Sequence, residues 1–146
     1  MKLRCNLKRL LSLTVILVFF IFLPSIAEEI TIYKLKKEKI NVNGRDLTVL
    51  VAKTEREREI GLSNTELTTL TRLGVDGMLF IFNDSSEKTF QAWHMRYDLM
   101  LLVLEKRGKN KFVVKERKPL RIGTIERVSG RYVLEIPLKN TLTEGR

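Results

Sequence analysis

The sequence predicts an α+β domain, predominantly antiparallel β in the form of a curled sheet or small barrel, with one or two short helices behind an N-terminal signal or anchor segment. Three observations predict it. From Glu28 onward, apolar residues recur with period two or in short runs closed by turn residues, which is the pattern of strands. Only one well-marked helix start occurs. The first 27 residues have the layout of a targeting segment. A length of 146 residues suits one domain of ordinary size. With 44% hydrophobic and 30% charged residues, the chain can bury enough apolar surface to offset its ordering entropy.

The leader comes first. Lys2, Arg4, Lys8 and Arg9 form a positive start, followed by a 14-residue apolar run from Leu10 to Leu23. Pro24-Ser25-Ile26-Ala27 then places small residues at the positions a cut after Ala27 requires. Leu10 to Ala27 is 18 residues, the lower end of membrane-spanning length. Residues 1–27 therefore read as a cleaved signal peptide or as a membrane anchor with its positive charges held in the cytoplasm. Both readings export residues 28–146 as a single β-rich domain, secreted or membrane-anchored. Removing those four positive charges from the chain's +10 leaves +6 on the remaining 119 residues. Cys5 falls in the leader, so the exported part contains no cysteine and must fold by burial alone.

The later elements follow in order. Ile30 to Leu35 alternates and reads as a strand. Lys39–Val42 and Asp46–Ala52 flank Asn43-Gly44, a strong hairpin signal because both turn positions tolerate positive φ. Thr54-Glu55-Arg56-Glu57 predicts a capped helix that Gly61 stops. A second short helix is expected between Asn64 and Leu73. Gly77–Phe82 is apolar on both faces, as in a buried central strand, and Asn83–Ser86 is its turn. Lys88–Tyr97, Leu99–Leu104, Lys111–Lys115 and Tyr132–Ile136 complete the strands.

Four stretches then occur in a recognisable order: Glu57-Arg58-Glu59-Ile60-Gly61-Leu62, Gly77-Met78-Leu79-Phe80-Ile81-Phe82, Trp93-His94-Met95-Arg96-Tyr97 and Tyr132-Val133-Leu134-Glu135-Ile136-Pro137. Together, over residues 47–137, they make the chain resemble the domain-of-unknown-function family 192, also called uncharacterised protein family 0127. The resemblance implies a small, largely β domain, often behind a signal or anchor, with no reaction assigned. One departure stands out. After Met-Arg-Tyr the family usually shows Pro-Leu-Asp, whereas this chain has Asp98-Leu99-Met100, so an acidic role at the last position would be lost.

Candidate site residues come from the same stretches. In a strand through Phe90–Tyr97, Trp93, Met95 and Tyr97 share a core face and His94 and Arg96 share the other. His94 and Arg96 could hold an anion together, or Arg96 could pair with Glu135 and leave His94 half exposed. Arg58 either belongs to a solvated charged helix face or turns inward toward Arg96. Arg58, His94, Arg96 and Glu135 are the predicted binding residues. The basic cluster from Lys106 to Arg121 suits anionic lipid headgroups or envelope polymers, or is a solvated hairpin that blunts edge pairing.

Catalytic residues are not identifiable from the sequence. It contains no nucleophile elbow, phosphate loop or paired-histidine motif. One histidine with one leader cysteine excludes a Cys/His zinc site, an all-oxygen metal site is open but has no loop signature, and no metal or cofactor is predicted. No nucleic-acid motif accompanies the basic cluster. The leading expectation is an exported, envelope-associated, non-catalytic binding module. Its ligand would be an anionic small molecule, lipid headgroup or envelope polymer, with membrane association through residues 10–27. The alternatives are a carboxylate-dependent hydrolase or lyase acting on envelope carbohydrate or peptide, and an accessory protein-interaction module.

Overall fold

The structure, a computed structural model, describes residues 32–138. Residues 1–31, which include the leader and the first two residues of the expected Ile30–Leu35 strand, and residues 139–146 lie outside the described residues. Among the described residues no helix is long and apolar enough to cross a membrane.

The chain enters through a single 3₁₀ turn, Ile32–Lys34, and not through the expected strand. Ile32 and Leu35 are both buried, and an i, i+3 spacing reaches one surface on a 3₁₀ turn as it cannot on a strand. The hairpin is present: β1 (Lys36–Val42) and β2 (Arg45–Ala52) pair antiparallel around Asn43-Gly44, both at positive φ. Helix α1 (Glu55–Ile60) has a full capping box. Thr54 Oγ1 accepts the Glu57 amide, and the Glu57 carboxylate accepts the Thr54 amide at 2.8 Å. Helix α2 (Leu67–Leu73) ends at left-handed Gly74. Strands β3 (Gly77–Ile81), β4 (Glu87–Gln91), β5 (Leu99–Gly108), β6 (Lys111–Leu120), β7 (Ile125–Ser129) and β8 (Tyr132–Pro137) follow.

Six strands form one curled, mixed sheet in the order β1-β2-β3-β8-β5-β6. Most pairs are antiparallel, β2 and β3 run parallel, and β6 meets β1 over only two parallel residue pairs. The two hairpin turns make that short seam. The Asn41 amide donates to the Asn110 carbonyl at 2.7 Å, and the Val114 amide donates to the Asn43 side chain at 3.0 Å.

Side-chain alternation along each strand produces two cores. Inside the curl lie Ile40, Val49, Leu79, Leu102, Leu104, Phe112 and Leu134. The other face carries Leu50, Met78, Phe80, Leu101 and Val133, covered by Leu62, Leu70, Phe90, Met95 and Val128 from the helices, the loops and the small β4–β7 sheet.

The strand expected over Lys88–Tyr97 stops at Gln91. The Ala92 amide donates to Thr124 O at 2.9 Å, and the Asn64 amide donates to His94 O at 2.8 Å, so the chain turns toward the helices. The shared Trp93/Met95/Tyr97 face is therefore replaced. Met95 and Tyr97 are buried, whereas Trp93 is 55% exposed.

Candidate functional site

Glu135 is the one carboxyl among the described residues that the fold buries, only 5% exposed. Alternation along β8 puts it on the same face as Val133, and its register neighbours Met78 and Leu101 are core residues. Gly77 makes this packing possible. A Cβ there would lie 2.0 Å from the Glu135 carbonyl oxygen, closer than any side chain tolerates. Burial pushes the Glu135 pKa up to about 8, because a charged carboxylate is poorly solvated there.

Glu135 lines a cleft of about 530 Å³ between α1 and β4. Its apolar walls are Leu62, Phe80, Phe90 and Met95, with Phe82 nearer the mouth. The Phe80 and Phe90 rings meet edge-to-face at 5.3 Å. Two cations bracket Phe82: the Arg58 guanidinium 5.0 Å and the Lys88 ammonium 5.2 Å from its ring centre. Arg58 Nη1 also donates to the carbonyls of Lys53 and Ile81, the latter at 3.1 Å. Lys88 is held by Asp84 at 2.6 Å, and that hydrogen bond is the leading cause of the lowered Asp84 pKa. Glu55, Glu59 and Glu87 also line the cleft, and all three are exposed. The Tyr97 hydroxyl is buried without a hydrogen-bond partner among the described residues. Burial raises its pKa, and the charges of Glu135 and Glu66 add to the rise.

The predicted binding residues divide. Arg58 and Glu135 share this cleft. His94 sits in a neighbouring groove of about 650 Å³ with Tyr33, Arg56 and Gln91. Arg96 turns to Glu66 at 3.7 Å, so it neither shares a strand face with His94 nor pairs with Glu135. The physical reason is the end of β4, which removes the alternation both readings assumed. Nothing in the local sequence marks Phe82 as a residue of this cleft, since its place arises from contacts across the sheet. Asp98, displaced from the usual family position, holds a turn in place: it accepts the Ile122 amide at 2.9 Å and Arg121 Nη1 at 3.0 Å.

A larger cleft of about 780 Å³ opens beside the Asn43-Gly44 turn, lined by Arg45, Asp76 and Arg117. It has no buried ionisable group, and Asp76 is used by the Thr48 amide at 2.8 Å. Among the described residues no three His, Cys, Asp or Glu side chains are placed to hold a metal.

The order α1, β3, β8 around this cleft follows the stretches that suggested a family. The family profile DUF192, described as an uncharacterised ACR, matches residues 38–143. The chain belongs to the domain-of-unknown-function family 192. Two solved structures resemble this family 192 chain. One is a candidate transcription regulator from Sinorhizobium meliloti 1021, 23% identical with a TM-score of 0.52, covering 70% of this chain and 81% of its own. The other is a protein of unknown function from Novosphingobium aromaticivorans, 20% identical with a TM-score of 0.51, covering 76% and 80%. At these identities the likeness speaks of fold alone. No curated protein matches.

Proposed function

We propose that this family 192 chain is an exported binding domain. Its Glu135 cleft takes a small ligand with an apolar body and a carboxylate or similar oxygen-rich anionic group. The observation that carries the reading is the buried Glu135 carboxyl in one cleft with the half-buried Arg58 and Lys88. With its pKa raised to about 8, Glu135 is mainly protonated at neutral pH and serves as a hydrogen-bond donor. A protonated carboxyl and a guanidinium can jointly hold an anionic oxygen, while Phe80, Phe90, Leu62 and Met95 cover the apolar part. The leader supports export, and His94 and Arg96 take no part in this cleft.

Binding of a panel of aromatic and aliphatic carboxylates, followed by calorimetry across pH 6–9, tests the reading. Affinity is expected to fall as pH rises through about 8, where Glu135 ionises and repels the ligand. Glu135→Gln should keep binding but lose that dependence, and Arg58→Met should weaken binding at every pH. Carboxylate binding that is unchanged or tighter above pH 8 would overturn the role given to protonated Glu135.

A second reading has its own observation. Glu55, Glu59 and Glu87 line the same cleft as Glu135, and hydrolases use carboxyl pairs that face one cleft. Release of reducing ends or peptides from envelope polymers, abolished in Glu135→Gln, would select it.

A further inference from the structure

Four large apolar side chains are exposed among the described residues: Tyr33 at 61%, Trp93 at 55%, Ile122 at 50% and Ile125 at 48%. They gather on one side of the molecule. The Gly123 amide donates to Ala92 O at 3.0 Å and the Ala92 amide to Thr124 O at 2.9 Å, so the turns carrying Trp93 and Ile122 are bound side by side. Ile125 stands opposite Gln91 in the β4–β7 pair. Gln91, His94 and Tyr33 line one groove, which brings Tyr33 to the same region. The Ile122 turn is held firmly, its amide bonded to Asp98 and Thr124 Oγ1 donating to Arg121 O at 2.7 Å.

We propose that this face is a membrane-docking face that seats the domain on an anionic lipid bilayer. Trp and Tyr favour the membrane–water boundary, where an apolar ring and a polar edge are both satisfied, and isoleucines on a tied turn (Ile122) and a paired strand (Ile125) insert with little ordering cost. Cations surround the patch: Arg56 in the groove, Arg96, and Arg121 beside Ile122. Arg96 and Arg121 pair with Glu66 and Asp98, but pairs this exposed hold weakly and give way readily to lipid phosphates. Chain connectivity supplies the location. Only residues 28–31 separate the leader from Ile32, five residue steps with a reach of at most about 18 Å. A bilayer holding residues 10–27 would therefore lie within reach of Tyr33. This step uses the leader reading and is independent of the Glu135 cleft.

Trp93 is the chain's single tryptophan, so its fluorescence reports this face directly. The full chain is reconstituted into phosphatidylglycerol vesicles with and without brominated acyl chains. The expected result is a blue-shifted emission, quenched by the brominated lipid and shielded from aqueous iodide. The Ile122→Glu/Ile125→Glu variant, changed at exposed positions and checked for an unaltered melting temperature, should lose the quenching while remaining vesicle-bound through the leader. Tyr33→Ser should reduce it from a separate element. Wild-type emission that stays open to iodide and untouched by brominated lipid would overturn the proposal, as would quenching that is equal in wild type and both variants.

Discussion

Glu135 shows how one side chain can set the pH response of a whole domain. Its folded pKa, about 8, lies above the ordinary carboxyl value of 4.5 because burial disfavours its charge. Its favourable contribution is therefore complete below pH 4.5 and is lost as pH rises through about 8. We expect the wild-type melting temperature to fall between pH 5 and pH 8.5 relative to Glu135→Gln, with a free-energy difference of several kcal/mol at the alkaline end. Parallel melting profiles for the two proteins would show that the carboxyl is solvated. Glu57 and Asp84 act in the opposite sense. Hydrogen bonds from the Thr54 and Lys53 amides lower the Glu57 pKa, and the Lys88 ammonium lowers that of Asp84, so their contributions vanish as pH falls. Glu135 is legible in the sequence as a binding residue or as a carboxylate partner for Arg96, and neither reading includes its burial. Alternation in Tyr132–Ile136 separates Glu135 from Leu134 onto opposite faces without saying that both faces are covered.

At the level of elements, local chemistry was a good guide where the signal is local. The Thr54–Glu57 capping box, the Asn43-Gly44 turn and the helix stop at Gly61 all form as their residue types require. Strand ends were not legible in the same way. β4 stops at Gln91 because Ala92 bonds to the 121–124 turn, a partner far away in the chain. β7 has no signature of its own, since Ile-Glu-Arg-Val-Ser acquires its identity only by pairing with β4. Gly77 is the element-scale residue most open to test. A methyl group there would meet the Glu135 carbonyl oxygen at 2.0 Å, so β3 and β8 must separate where the sheet carries its buried acid. Gly77→Ala is expected to cost about 2–4 kcal/mol in urea unfolding. Wild-type stability in that variant would mean the two strands do not approach as described.

Across the whole molecule, the curled sheet has two separate cores, and the candidate cleft lies on the outer one, where helices and the β4–β7 pair leave a gap. The inner core lies inside the curl, and β6, which carries Lys111, Lys115, Arg117 and Lys118, meets β1 only at its first residues, so charge lines the rest of that strand and discourages pairing with another chain. Export belongs to this scale as well. Expression in a secreting host should yield either a species beginning at Glu28, read by intact mass, or a full chain retained in the membrane fraction. A soluble full-length chain in the cytoplasm would defeat the leader reading. The sequence by itself determined the strand-rich class, the hairpin, the capped helix and the family, because each depends on short-range periodicity, turn chemistry or an ordered set of motifs. Only the tertiary structure decided which strands become neighbours, that the buried Glu135 lines a cleft with Arg58, and that Trp93 faces outward. Those outcomes depend on contacts between residues far apart in the chain, and burial, which sets both the Glu135 pKa and the exposed apolar face, is a property of such contacts and not of local sequence.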